Sequence, residues 1–173
     1  VLEGQGISST QVLRDTGIRP VQLNREDSYF SYRQMLALVE NALALTTTPE
    51  LGLIVGSREK IGSWGLLGYA VMSCATIREG LKIGVRFQRT SPSLVLINVV
   101  ENADHVRISV GSPCALGAAL PFCVEEMIAS MYTVAPFFVE RPIRVLELHL
   151  AYPEPEYSDK YREMFHCPIL FMQ

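Results

Sequence analysis

The sequence predicts an α+β fold: a helical N-terminal half packed on an antiparallel sheet of about four strands, with helices on one face. Three observations predict it. Apolar side chains recur at helical spacing through the first ninety residues, behind capping boxes. From Ser93 the pattern changes to β-branched runs with strict alternation. The 173 residues, 49% apolar and 19% charged, are enough for one core and too apolar for a disordered chain.

Each element has a local cause. Ser8 or Ser9 caps a short helix to about Asp15, which Gly17 stops, and Pro20–Asp27 reads as a connector. Ser31 and Gln34 form a capping box ahead of a stripe at Met35, Leu36, Leu38, Val39, Ala42 and Leu43. Thr48 with Pro49 opens another helix, bearing Leu51, Leu53, Ile54 and Val55, that Gly56 closes. Gly62–Gly65 is a turn, and the apolar segment Leu66–Ser73 reads as a buried helix with a strand as the alternative. Thr76 and Glu79 make a second capping box for a helix to about Thr90, with Ile77, Leu81 and Val85 on one face. Gly80 and Gly84 lie one turn apart in it, and two interior glycines cost about 1 kcal/mol each relative to Ala, which implies close packing there.

Ser93–Val100 and Val106–Val110 flank turn chemistry at Glu101–Asp104 and predict an antiparallel hairpin. Pro121 opens a long helix to about Phe138 with a wide stripe at Val124, Met127, Ile128, Met131, Tyr132 and Ala135. Pro142 precedes a strand over Ile143–Ala151, with Leu146, Leu148 and Leu150 on one side. Ser158 caps a short helix to His166, and Pro168–Met172 is a last strand.

Composition narrows the function. The formal charge is −3 and no Lys/Arg run exceeds two residues, so the basic stripe of a nucleic-acid surface is missing. Apolar stretches such as Trp64–Val71 and Val134–Val139 are short of the ~20 residues of a membrane span, so no membrane partner is expected. The opening Val1–Thr10 is polar and carries no signal-peptide pattern, and the absence of an initial Met suggests a piece of a longer protein. Cys74, Cys114, Cys123 and Cys167 lack paired spacing and read as reduced, mostly buried thiols; no metal or other cofactor is expected.

Catalytic patterns are missing too. Gly62-Ser63-Trp64-Gly65 lacks the spacing of a nucleophile elbow, no phosphate-binding loop is present, and His105, His149 and His166 have no partner at useful spacing. Glu125 and Glu126 are adjacent on one helix and face different directions, so they do not form an acid–base pair alone. No catalytic residue is expected.

Several motifs do stand in a recognisable order. They are Leu51-Gly52-Leu53-x-x-Gly56, then Trp64-Gly65-Leu66-Leu67-Gly68-Tyr69-Ala70-Val71-Met72-Ser73, then Thr76-Ile77-x-Glu79-Gly80-Leu81 with Arg86-Phe87. The close is Tyr152-Pro153-Glu154-Pro155 followed by Tyr161-x-x-x-Phe165-x-Cys167-Pro168-Ile169-x-Phe171. This pattern resembles the N-terminal, arabinose-binding-like effector-sensing domain of AraC-type bacterial transcription regulators. Tyr152 stands where that family often has His, and Gly80 where it often has Ala.

The resemblance implies that residues 1–173 form a single effector-sensing and dimerisation domain, cytoplasmic and non-enzymatic. A helix-turn-helix domain would follow it, outside this chain. The implied partners are a small-molecule effector, DNA through that downstream domain only, and a second copy in a homodimer. An interaction module without a ligand is the alternative.

The ligand residues are a physical expectation. Sites are concave and mostly apolar with a few polar groups. Trp64, Tyr69 and Tyr132 offer aromatic surface with a polar tip, Met72 and Met131 are adaptable liners, and Glu125 could meet a cationic ligand. Gly80 and Gly84 are the expected dimer surface.

Overall fold

The computed structural model describes residues 1–25, 28–91, 93–138 and 143–172. The end of the expected connector at Asp27, and Pro142 ahead of the expected strand, lie outside the described residues.

The helical half forms as its caps dictate. Ser9–Val12 (α1) starts behind a Ser8–Gln11 capping box, and Tyr32–Leu45 (α2) behind Ser31–Gln34. Ile77–Phe87 (α5) starts where Thr76 Oγ1 accepts from the amide of Glu79. Pro20–Asn24, within the expected connector, is a 3-10 helix. Leu51–Arg58 (α3) departs from expectation at both ends. Its N-cap is Glu50, with no side-chain cap, because the Thr48 hydroxyl is engaged by Gln5 Nε2 at 2.7 Å. It also runs two residues past Gly56, whose role is packing rather than termination.

Gly65–Met72 (α4) is helical, which settles helix against strand, but it is not buried throughout. Leu67 and Val71 face inward while Leu66, Tyr69 and Met72 are exposed. Leu120–Val134 (α6) continues as a 3-10 turn to Phe138. With the preceding 3-10 turn, Gly117–Phe138 has the length and mean hydropathy (1.2) of a membrane span, which the sequence reading did not anticipate. Its inner side carries Glu125, Ala129 and Val134 into the core against α3 and α4, which accounts for its apolar composition.

The expected sheet is corrected. Among the described residues there are two separate two-stranded sheets. Leu96–Glu101 (β1) pairs antiparallel with Val106–Gly111 (β2), as the hairpin pattern predicts. Leu148–Leu150 (β3) pairs with Ile169–Phe171 (β4) in parallel, not antiparallel. The reason is the connection: residues 151–168, with Ser158–Phe165 (α7) among them, form the crossover that a parallel pair requires. Residues 143–147 join no strand among the described residues, and Leu146 faces solvent instead of joining Leu150 inside.

The core is a string of clusters along α6. Its start packs with α2 and the segment before the hairpin through Val39, Leu94, Val95, Ala119 and Cys123. Its middle packs with α3 and the C-terminal unit through Leu53, Ala129, Leu150, Tyr161 and Phe165. Its end meets α4 through Val134, Ile61, Leu67 and Val71. Cysteines are a partial correction: Cys123 is buried, with burial pushing its thiol up to about 12, whereas Cys74 and Cys167 are half-buried and Cys114 is exposed.

Candidate functional site around the α3–α6 seam

Two glycines decide how α3 meets α6. A Cβ at Gly52 would stand 2.6 Å from the Phe122 carbonyl oxygen and 2.7 Å from Glu125 Cβ. One turn on, a Cβ at Gly56 would stand 2.8 Å from Ala129 Cβ and 2.9 Å from the Ser130 nitrogen. Real side chains do not approach so closely, so backbone touches backbone along this seam. Two acidic clusters sit on it, one on each side.

The first cluster is internal. Glu125 is only 1% exposed. Its Oε1 accepts from the Tyr161 hydroxyl at 2.5 Å and from Tyr157 at 2.7 Å. Tyr161 gives its single proton to Glu125, so at 3.1 Å the Tyr152 hydroxyl donates to Tyr161. The backbone amide of Leu53 also holds the carboxylate. Leu53 lies in the first turn of α3, where amides lack helical partners and the helix dipole favours negative charge. Glu125 thus caps from α6 a helix that has no side-chain cap of its own. Burial raises its pKa, opposed by Tyr161 and Tyr157. Burial likewise pushes the tyrosine hydroxyls up, so they remain donors.

The second cluster is half open. Ser130 Oγ donates to Glu59 Oε2 at 2.7 Å, and Trp64 Nε1 donates to the same oxygen at 3.0 Å. Trp64 Nε1 also lies 3.3 Å from Ser130 Oγ. Glu126 stands against Glu59, and burial with the Glu59 charge raises its carboxyl pKa to about 8. Among the described residues, no basic side chain is one of the groups that shift it. A carboxyl partly out of water beside another carboxylate keeps its proton near neutral pH, and here that carboxyl is Glu126.

The residues singled out in the sequence therefore separate. Trp64 belongs to the open cluster, and half-buried Met131 follows Ser130 directly on α6. Glu125 and Tyr132 point into the C-terminal unit, where the Tyr132 ring meets Phe165 edge-on at 5.3 Å between centroids. Tyr69 and Met72 lie on the outer face of α4, 63% and 54% exposed. Gly80 is buried against Val71, whereas a Cβ at Gly84 would meet nothing within 4 Å. Glu59 is not among the residues expected from the sequence, and Glu126 was weighed there only as a partner for Glu125. The signal that could have found them is Gly52-x-x-x-Gly56, which marks α3 as the helix seated on α6 and so brings its terminal Glu59 beside Glu126.

Two surface cavities lie elsewhere. One, of about 380 Å³, is lined by residues from Ser8 to Pro20. The other, of about 310 Å³, lies between the first turns of α5 and the hairpin end, where Arg78 pairs with Glu101 at 3.0 Å. None of the lining residues is one of the expected ligand or dimer residues. Among the described residues, no group of three or more His, Cys, Asp or Glu side chains could hold a metal ion.

Comparison with known proteins agrees with this chain's motifs. The chain is 28% identical over 168 residues to the ornithine utilization regulator of Pseudomonas aeruginosa, covering 97% of this chain and 50% of that protein. It is 30% identical over 139 residues to uncharacterized HTH-type transcriptional regulators of Mycobacterium bovis and Mycobacterium tuberculosis, covering 80% of this chain and 40% of each. The chain thus spans half or less of the length of these curated relatives. The crystal structure of transcriptional regulator CdpR from Pseudomonas aeruginosa has the same fold, with a TM-score of 0.68 at 18% identity over 98% of this chain and 49% of that one. Residues 6–173 match the sequence profile described as the arabinose-binding domain of AraC transcription regulator, N-terminal. The chain belongs to this family of N-terminal domains of AraC-type transcription regulators.

Proposed function

We propose that this domain senses a small metabolite carrying a positively charged amine and relays its presence to a DNA-binding helix-turn-helix domain in the cytoplasm. The observation that carries the reading is the Glu59–Glu126 pair beside Trp64, two carboxylates gathered with no cation acting on Glu126 among the described residues. An ammonium group seated there replaces the proton on Glu126 with a charge that both carboxylates favour, and the indole adds an aromatic wall suited to cations. One relative is named for ornithine utilization, and ornithine is a metabolite of this class.

Coupling follows from the elements involved. Glu59 is the C-cap of α3, Trp64 is the residue before α4, and Glu126 and Ser130 are on α6. A ligand that binds them shifts the balance between arrangements of these three helices, by no more than its difference in affinity for each. The domain itself needs no cofactor and performs no catalysis in this reading.

The test is a thermal-shift titration against basic amino acids, diamines, neutral amino acids, sugars and fatty acids. Ligand binding only the folded state adds about 2.7 kcal/mol at a hundredfold excess over Kd. A saturable shift confined to the amines is the expected result. A shift confined to sugars or fatty acids contradicts the amine assignment.

A further inference from the structure

Two cysteines gather at one tyrosine hydroxyl. Cys114 is exposed on the loop after β2, and Cys123 is buried in the first turn of α6. Charge on either sulfur reaches the Tyr32 hydroxyl, and charge on Cys114 reaches Cys123. Ser112 orients the exposed thiol. Its hydroxyl donates to the Leu94 carbonyl at 3.1 Å, so it accepts from the Tyr32 hydroxyl and from the Cys114 amide, each at 3.3 Å. Cys114 Sγ lies 4.0 Å from the same oxygen. Leu94 and Cys123 belong to one core cluster, and Tyr32 packs on it. The sulfur of Cys114 is thus turned toward the core that holds Cys123, on a residue that solvent still reaches. The other two thiols are elsewhere. Cys74 Sγ donates to the Ala70 carbonyl at 3.4 Å behind α4, and Cys167 packs in the C-terminal unit.

We propose that Cys114 and Cys123 are a peroxide-sensitive pair that closes to an intramolecular disulfide and reopens with a thiol reductant. Cys114 reacts first, because the oxidant reaches it from solvent. Its thiolate sulfur attacks one oxygen of hydrogen peroxide, the O–O bond breaks, hydroxide leaves, and an S–OH group forms. The Cys123 thiol gives its proton to water, and its sulfur attacks the S–OH sulfur. An S–S bond forms, the S–O bond breaks, and a second hydroxide leaves. Each hydroxide takes up a proton that a thiol released, so two thiols are oxidised and one peroxide is reduced to two waters.

Cys123 suits the second step only. Burial among apolar side chains, with Glu126 close by, pushes its thiol up to about 12 and keeps it inert toward peroxide itself. Gly117 lies between the two cysteines with φ of 53° and open space where a Cβ would stand, so the intervening backbone has room to turn. The closed ring ties the loop after β2 to the first turn of α6. The pair shares no residue with the Glu59–Glu126 cluster, and it stands whether or not an amine binds there.

The test is hydrogen peroxide treatment of the folded 173-residue chain, then chymotrypsin and mass spectrometry without reductant. Cleavage after Phe122 separates the two cysteines, so only a disulfide keeps them in one fragment. The wild type is expected to lose two hydrogens, to yield a linked Cys114–Cys123 fragment, and to recover both thiols in dithiothreitol. Cys114→Ser is expected to form no disulfide. Cys123→Ala is expected to stop at an S–OH on Cys114 that dimedone labels. Should that variant fail to fold, dimedone added with the peroxide traps the same group in the wild type. Replacing Cys74 and Cys167 together with Ser is expected to leave the link intact. Oxidation of Cys114 without a link, a link between chains, a link to Cys74 or Cys167, or a link that forms only in urea each overturns the proposal.

Discussion

Glu125 and Glu126 are neighbours in sequence and opposite in circumstance. Glu125 is saturated: two tyrosine hydroxyls and the Leu53 amide hold it. Replacing it with Ala strands two buried or half-buried hydroxyls and uncaps α3. Glu125→Ala is expected to lower stability by about 3 kcal/mol, and Glu125→Gln, which keeps an acceptor, by less; urea unfolding checks both. Glu126 has the reverse chemistry, because its neighbour is another carboxylate. The sequence showed that the two glutamates face different ways but not what each faces. Their environments are set by Tyr157 and Tyr161 on one side and Glu59 on the other, all more than 30 positions away, and no local pattern encodes such contacts.

At the scale of elements, the glycines separate packing from mere permission. Gly52 has no room for a methyl group and Gly84 has ample room. Gly52→Ala is therefore expected to cost about 1–3 kcal/mol, the range for overpacking, whereas Gly84→Ala is expected to gain nearly 1 kcal/mol from helix propensity. Chemical denaturation of the two variants measures both signs. The helices were legible because caps are local: Ser8–Gln11, Ser31–Gln34 and Thr76–Glu79 each act over three residues. The C-terminal strands were less so. Leu146, Leu148 and Leu150 alternate, yet only Leu148–Leu150 pairs, since its partner is three residues long. Parallel pairing could have been read from the strand–helix–strand order around α7.

At the scale of the whole molecule, the acid clusters make stability depend on pH. A carboxyl whose folded pKa is raised binds a proton more tightly folded than unfolded. Its contribution is complete below the ordinary value of 4.5 and is lost as pH rises through about 8, the folded value of Glu126. Glu125 shifts in the same direction. The melting temperature of the unliganded domain is therefore expected to fall between pH 5 and pH 8, and Glu126→Gln to flatten that fall. The family was legible because its motifs coincide with packing necessities such as Gly52, Gly56 and Gly68. The proposed site was not, because it joins the end of α3, the start of α4 and the middle of α6.

The same proton gives the most direct test of the effector reading. Calorimetric titration with ornithine and related amines, in buffers of different ionisation enthalpy, measures both affinity and proton release. The predicted result is affinity that rises with pH toward 8, a proton released on binding at neutral pH, and loss of binding in Glu126→Gln. Amines that bind Glu126→Gln as tightly as the wild type, with no proton released, would contradict the account.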